Sequence, residues 1–548
     1  MHTIPLLFCI LVATTGADLP WYNGRPYPGA STQGGVWPLP WSIKYDAYNH
    51  TINPAEEPLK KTVAVQVGAC DVIDRALARY QKLSFPMFDP KTYKDSEATL
   101  TTLAIKVKSD CDSTVPQMEM DESYSLNIQK DKATAILIAN EVWGALRGLE
   151  TFSQLVYQIE RNKYRIRTAS VKDTPRFSHR GTLIDTARHF LPIPLILEHL
   201  DLMSQNKFNV LHWHIVDSEA FPYTSAAFPN MSLEGAYTPA HIYSIADIKK
   251  VIDYARLRGI RVVAEFDTPG HSGSWGKSIP NLLSDCYDDK GKIDQLPNII
   301  DPTLDTTYNF LRDFFREALE LFQDSFMHFG GDEVEADMQQ CWENNKAVRA
   351  RMEAMGYNTT HQLLNHYWNR LFEVIHDVRP GTKKVVWQEV LDMGVKVKNA
   401  IAHVWKGGSY GAIMDEMAKV TAAGHRTILS SCWYLDWISI GADWKGYYNC
   451  DPTGFKGTDE QKGLVLGGEA ALWGEYVDAT NFIARMWPRA SAVAERLWSN
   501  PTQTKSTDVA WPRLHEFRCR MVNRGFAVQP PNAPDYCPYE WNYHYEEL

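Results

Sequence analysis

The sequence predicts an α/β protein: a (β/α)8 TIM barrel that carries the chemistry, preceded by a small α+β domain. Three observations point there. Eight short apolar runs recur through the second two-thirds of the chain, with amphipathic helical spacing between them. Acids, Arg, His and Trp gather at the C-terminal ends of those runs, where a barrel places its active face. Ahead of them, strand-like runs crowd together without regular intervening helices, the pattern of an α+β unit.

In chain order, residues 4–14 are apolar and lead to small residues up to Ala17. This reads as a secretory signal peptide (1–17), too short to span a bilayer. Residues 18–60 are rich in Pro, Gly and Trp and read as an extended lead-in. Strands are expected at 62–67, 103–107, 124–128 and 134–138, and helices at 71–82 and 141–159. Together they make an N-terminal α+β domain over 18–172, with Pro175 at the junction. The barrel, with a C-terminal extension, takes 173–548. Its strands are expected at 181–186, 210–217, 261–267, 327–332, 384–389, 400–405, 426–431 and 464–473. Helices are expected at 194–205, 245–257, 306–321, 362–376, 412–423 and 481–498.

Composition narrows the function. Apolar content of 44% and charged content of 22% are those of an ordinary globular protein. A net charge of -10 argues against a nucleic-acid partner, which wants a basic face. No later apolar run approaches membrane length. The 18 Trp are many and suit stacking on sugar rings as well as packing. With Cys9 in the signal segment, Cys70, Cys111, Cys286, Cys341, Cys432, Cys450, Cys519 and Cys537 remain. An even count on a secretory route suggests disulfides, with the pairing left open. Sequons at Asn49, Asn230 and Asn358 fit that route as glycosylation sites, so the lysosome or the extracellular space is expected.

The chemistry centres on Met327-His328-Phe329-Gly330-Gly331-Asp332-Glu333-Val334. On a regular strand Asp332 and Glu333 would face opposite sides. At a strand end loosened by two glycines both can enter one pocket. There, mutual repulsion should make one acid easier to protonate, as acid/base catalysis on an acid-labile bond requires. A surface turn rich in acids is the plainer alternative. His212 and His214 share one side of a strand with Asp217 just beyond, so a metal site with His271 is conceivable. Hydrogen-bonded histidines inside a barrel are the better reading. Trp387, Trp405 and Trp473 are either rim packing or an apolar box for a methyl-bearing group. Arg180 either pairs with a barrel acid or donates a fork of hydrogen bonds to sugar hydroxyls.

These residues carry a family resemblance. His179-Arg180-Gly181, Asp185-Thr186-Ala187-Arg188-His189-Phe190, His212-Trp213-His214-Ile215-Val216-Asp217, Glu265-Phe266-Asp267-Thr268-Pro269-Gly270-His271, Gly330-Gly331-Asp332-Glu333 and Leu472-Trp473-Gly474-Glu475 resemble the β-N-acetylhexosaminidases of glycoside hydrolase family 20. Within that family they look most like the lysosomal subunits of animals. The resemblance implies an exo-acting hydrolase of β-linked GlcNAc or GalNAc. It also implies retention of configuration by substrate assistance, an exception to the two-carboxylate scheme. Glu333 would then protonate the leaving oxygen and later activate water, and Asp332 would hold the acetamide N–H. Tyr434 would bind the acetamide oxygen, and Trp387, Trp405 and Trp473 would enclose the methyl. Arg180, Asp217 and Glu475 would take ring hydroxyls, and His271 with Asp267 would tune the surroundings of Glu333. No cofactor or metal is implied. The partners implied are a saccharide substrate and a second copy of the chain.

Two places depart from the family pattern. Subunits that accept sulfated sugars carry Asn-Arg after Trp-Tyr-Leu, where this chain has Asp436-Trp437. An acid there would bind a 6-hydroxyl and repel a 6-sulfate. The family pairings match Cys70–Cys111, Cys286–Cys341 and Cys519–Cys537, which leaves Cys432 and Cys450 as an extra bridge or as two free thiols. The loop after Cys286 also lacks the insertion linked to activator-assisted ganglioside cleavage, so that activity is not expected. A catalytically dead sugar-binding barrel and a His-based metal hydrolase remain the rival readings.

Overall fold

All eight expected barrel runs form strands. They are β1 (His179–Asp185), β2 (Val210–Val216), β3 (Arg261–Phe266), β4 (Phe326–His328), β5 (Lys383–Trp387), β6 (Ile401–Val404), β7 (Thr427–Leu429) and β8 (Val465–Leu472). They pair in parallel in chain order, and β8 closes on β1 with Gly467 opposite His179 and Leu472 opposite Ile184. Every residue of β1, β2, β3 and β8 is buried, so these strands read as unbroken runs rather than alternating ones. The computed structural model describes residues 21–22, 25–26, 32–56, 70–94, 97–111, 115–160, 162–396, 399–439, 441–532 and 534–537. The expected signal peptide and the expected strand at 62–67 lie outside them.

The two-residue period of a strand stacks the barrel interior in three layers. At the N-terminal end Val210, Val263, Phe326, Val385, Ile401, Ile428 and Leu466 form an apolar plug. Two residues further along, His212, Glu265, His328 and His403, with Glu469, form a buried polar layer. Above it Trp387, Trp473, Leu183 and Ala471 cluster, with Trp405 and Tyr434 packed against them. The polar layer is internally matched. Glu265 lies 2.9 Å from His212, 2.7 Å from His214 and 3.1 Å from His328, and it accepts the Trp387 indole N–H at 2.8 Å. Glu469 accepts from His179 at 2.6 Å and from His212 at 2.7 Å. Burial opposes the charge on His212, but the two glutamates push it up to about 9. They themselves are held well below the carboxylate range by the surrounding imidazoles, against the cost of burial.

Ahead of the barrel lies a six-stranded sheet, ordered Ser42–Ile52, Lys163–Asp173, Tyr124–Ile128, Thr134–Ala139, Thr102–Val107, with Val156–Glu160 also paired to Lys163–Asp173. Helices Asp71–Leu83 and Val142–Leu155 pack on it around a separate core. Two expectations change here. The lead-in contains an 11-residue strand, Ser42–Ile52. The helix expected over 141–159 stops at Leu155, because the next five residues pair back onto Lys163–Asp173 through a turn with Asn162 at φ 61°. In the barrel, the helix expected over 481–498 is split into Phe482–Met486 and Arg489–Trp498 at Pro488, which lacks a backbone N–H.

Charged groups join the two domains. Glu122 of the small domain accepts from Arg147 at 2.8 Å and from Arg180 at 2.6 Å. Arg147 also donates to the backbone carbonyls of Arg258 and Gly259 at 3.1 and 2.7 Å. Lys207 reaches Asp173 at 2.9 Å and the Tyr124 hydroxyl at 3.0 Å. All of these side chains are buried.

Candidate active site

Strand β4 ends at His328, and the next five residues build the centre of the site. Gly330 and Gly331 take φ 70° and 102°. A Cβ on Gly330 would sit 1.6 Å from Asp267 Oδ1, so only glycine lets the backbone pass the tip of β3 this closely. Asp267 Oδ1 accepts the Gly331 N–H at 2.8 Å. Glu333 itself lies at φ 56°, in the left-handed region where side chains other than Gly and Asn are strained. Its N–H donates to Glu389 Oε2 at 3.2 Å, just beyond β5. Lys406, beyond β6, lies 3.0 Å from that same oxygen and 2.7 Å from Glu335. The backbone of the acid is thus fixed from two neighbouring strands, while its side chain stays 59% exposed in the cavity mouth.

The repulsion expected between the two acids falls elsewhere. Asp267 is buried and faces the Asp332 charge, and these two effects push its carboxyl well above the carboxylate range. Glu333 is drawn below its ordinary value, chiefly by the His271 imidazole, whose Nε2 lies 3.4 Å away. His271 Nδ1 pairs with Asp217 at 3.0 Å. Burial opposes its charge, but Asp217 and Asp332 raise its pKa well above that of a free imidazole. Of these carboxyls Asp267 is the one held above the usual range, and the His271 imidazole lies beside Glu333.

Arg188, three residues past β1, gathers the acids on the opposite wall. It lies 2.9 Å from Asp185, 2.9 Å from Asp217, 3.2 Å from Glu219 and 3.7 Å from Glu475, with its guanidinium over Trp473. Burial would raise Asp217, yet His271, His214 and Arg188 hold its carboxyl well below the usual range. The third wall is aromatic. Trp387 and Trp473 have ring centroids 5.9 Å apart, Trp473 and Tyr434 6.4 Å, and Tyr434 and Trp405 6.3 Å. Burial raises the Tyr434 hydroxyl well above 10, so it remains a donor. Tyr434 and Asp436 ride on a segment that adds itself beside β8 through Leu435 N–H to Ala471 O and Ala471 N–H to Trp433 O, both 2.8 Å. The Cys432–Cys450 bridge closes that loop. Burial pushes the Asp436 carboxyl up to about 6.

A cavity of about 640 Å³ opens between these walls and is lined by Arg188, His271, Asp332, Glu333, Trp405, Tyr434, Asp436, Trp473 and Glu475. Asp217 and Asp267 stand directly behind it. Trp387 forms the base of the aromatic cluster.

Arg180 does not join them. It stands at the N-terminal start of β1, 1% exposed, and spends its guanidinium on Glu122 and on the carbonyls of Lys207 and Phe177. The arginine of the cavity is Arg188. The signal was present in the sequence: Arg180 precedes its strand and Arg188 follows it, and only the second end of a barrel strand faces the active side. Glu389 and Lys406 were also missed as a unit, since nothing in their spacing shows that they meet the Glu333 backbone. His212 Nδ1 pairs with Glu469 at 2.7 Å and its Nε2 lies 2.9 Å from Glu265, while His214 sits between Glu265 at 2.7 Å and Asp217 at 2.8 Å. The structure pairs Cys70–Cys111, Cys286–Cys341, Cys432–Cys450 and Cys519–Cys537. Asn230 and Asn358 are exposed, and Asn49 is partly buried within its strand.

Comparison with known proteins converges on one family. A model described as glycosyl hydrolase family 20, catalytic domain, matches residues 177–501, and one described as beta-acetyl hexosaminidase like matches residues 36–155. The chain is 45% identical over 539 residues to beta-hexosaminidase subunit beta of Homo sapiens, covering 97% of this chain and 93% of that one. It is 44% identical over 543 residues to beta-hexosaminidase A of Caenorhabditis briggsae, covering 96% of each. Among solved structures, the chitobiase of Flavobacterium johnsoniae superposes with a TM-score of 0.76 at 27% identity, over 90% of this chain and 73% of that one. With an acid pair at a strand tip, an arginine–carboxylate wall and an aromatic wall on a closed eight-stranded barrel, the chain belongs to glycosyl hydrolase family 20 and is a glycoside hydrolase of its β-hexosaminidase type.

Proposed function

We propose that the enzyme releases terminal β-linked GlcNAc or GalNAc from the non-reducing ends of glycoconjugates or chitin fragments, with retention, using the substrate's own acetamide as nucleophile. The observation that carries this is Asp332. Its Oδ1 is buried beside the aromatic wall and has no hydrogen-bond partner among the described residues. A buried carboxylate oxygen without a partner is costly unless a ligand supplies a donor. An acetamide N–H is a donor of the right kind, and its methyl would lie in the box of Trp387, Trp405 and Trp473.

In this reading the acetamide oxygen attacks the anomeric carbon, the bond to the leaving oxygen breaks, and Glu333 gives that oxygen its proton. Tyr434 donates to the acetamide oxygen, and Asp332 balances the charge of the oxazolinium ring. Water then attacks the anomeric carbon and returns its proton to Glu333. Arg188 and Glu475 take the ring hydroxyls, Asp217 holds Arg188 and His271 in place from behind, and Asp436 takes the 6-hydroxyl. Glu333→Gln and Asp332→Asn should each lower kcat on an aryl β-GlcNAc by at least about a hundredfold. Turnover of the matching aryl β-glucoside, which has no acetamide, at a comparable rate would sink the substrate-assisted scheme.

Asp436 sets the preference for neutral sugars, and its pKa near 6 makes that preference depend on pH. As pH rises from 5 to 7 the carboxyl ionises, so the kcat/KM ratio of neutral to 6-sulfated aryl GlcNAc should climb. In Asp436→Asn the ratio should stay flat. Among the described residues no helix is long and apolar enough to cross a membrane. The sequons and disulfides support a lysosomal or secreted enzyme, and the family resemblance supports a homodimer, which light scattering of the purified protein checks.

A further inference from the structure

The chain that carries Glu333 runs off β4 with its backbone donors handed to side chains. Pairing with β5 continues past His328 through Phe329 N–H to Val385 O at 2.9 Å and Trp387 N–H to Gly330 O at 3.0 Å. Further along, side chains take over. The Gly330 N–H goes to His328 Nδ1 at 3.0 Å, the Gly331 N–H to Asp267 Oδ1 and the Glu333 N–H to Glu389 Oε2. Positive φ costs the two glycines little, but Glu333 has a side chain and would relax from φ 56° unless something held it. We infer that Glu389 and Lys406 are a positioning pair for the proton donor: the Glu389 carboxylate holds the left-handed backbone of Glu333, which aims its carboxyl into the cavity, and Lys406 holds Glu389. The inference rests on Glu333 being that donor.

Glu389 is only 3% exposed, and a carboxylate taken out of water this far needs partners. Its Oε1 has no hydrogen-bond partner among the described residues, whereas the Glu333 N–H and Lys406 both converge on Oε2. Burial raises the Glu389 carboxyl above its ordinary value, and the hydrogen bond from Lys406 opposes that. Lys406 also reaches Glu335, so one cation ties Glu389 to the chain two residues beyond the acid.

The lysine is aimed in turn. Gln388, next to Glu389 at the tip of β5, accepts the Trp405 and Lys406 N–H groups on its Oε1 at 2.8 and 3.0 Å. Consecutive residues of one turn therefore fix a wall of the aromatic box through Trp405 and the proton donor through Glu333. That keeps the distance between the two constant.

The test compares phenyl β-GlcNAc, whose leaving oxygen needs a proton, with 2,4-dinitrophenyl β-GlcNAc, whose phenolate departs without one. A misplaced donor slows only the first in kcat/KM, whereas a damaged sugar site slows both. In the full-length enzyme Glu389→Ala should lower kcat/KM about fiftyfold on the phenyl glycoside and less than about threefold on the dinitrophenyl one. Glu389→Gln keeps an acceptor oxygen at the same reach and should bring the phenyl rate back to within about fivefold of wild type. Lys406→Met, at a partly exposed position, should show the same selectivity at about tenfold. Equal losses on both substrates, no loss on the phenyl glycoside, or Glu389→Gln as slow as Glu389→Ala each overturn the inference. A Glu333→Ala control that shows no preference between the leaving groups would sink the proton-donor reading itself, a result distinct from these.

Discussion

Glu333 works beside a cation that it shares with two other carboxylates. The His271 imidazole holds the Glu333 carboxyl low, whereas the proposed protonation of a leaving oxygen needs it protonated. Removing the imidazole should let the Glu333 pKa rise. The alkaline limb of kcat/KM, which reports loss of that proton in the free enzyme, should then move to higher pH in His271→Gln, along with a fall in rate. A fall in rate with an unmoved limb would mean that His271 serves only to orient Asp217. The neighbours of Glu333 also show what single residues can conceal. Asp332-Glu333 is legible as a pair because the two acids are adjacent and follow two glycines. The acid that takes up the repulsion, Asp267, sits 65 positions before Asp332 and becomes relevant only because Gly330 passes the tip of β3.

At the level of elements, the eight strands were readable because all but the first two residues of β5 are buried, so that each appears as an apolar run. Their function-bearing ends followed from direction alone, and ignoring direction is what misplaced Arg180. The strand Ser42–Ile52 was harder, since it alternates exposed and half-buried positions along much of its length and carries His, Asn and Asp. The segment after β7 has no regular element to announce it. It is held by two backbone bonds to Ala471 and by Cys432–Cys450, 18 residues apart. Closing a loop of that length stabilises by about 3 kcal/mol in the chain-entropy picture. Replacing both cysteines with alanine should lower the thermal midpoint by a corresponding amount. It should also raise KM for aryl β-GlcNAc more than it lowers kcat, because Tyr434 and Asp436 ride on the loop. Equal effects on the two constants would argue that the loop is set by β8 alone.

For the whole molecule, the small domain holds the closed end of the barrel through buried ion pairs, far from the cavity. Arg180→Ala leaves Glu122 with Arg147 and Asn209 but without its shortest contact. Removing one partner of a buried network costs about 3 kcal/mol. Urea unfolding should show that loss, while kcat per folded molecule stays at the wild-type value; a tenfold lower kcat would restore Arg180 to the catalytic side. The barrel and the presence of a separate N-terminal domain could be read in advance because they depend on periodicity. The ties between domains could not, because Glu122, Arg147, Arg180 and Lys207 look like ordinary surface charges until the fold buries them together.

The left-handed backbone of Glu333 has a consequence for how such a chain changes over generations. At φ 56° a glycine would be more comfortable than the acid proposed to protonate the leaving group. A substitution to glycine there should abolish hydrolysis yet leave a fold at least as robust as before. Screening random variants for heat resistance alone would therefore favour dead enzymes at this position, and only a screen for released sugar would retain the glutamate.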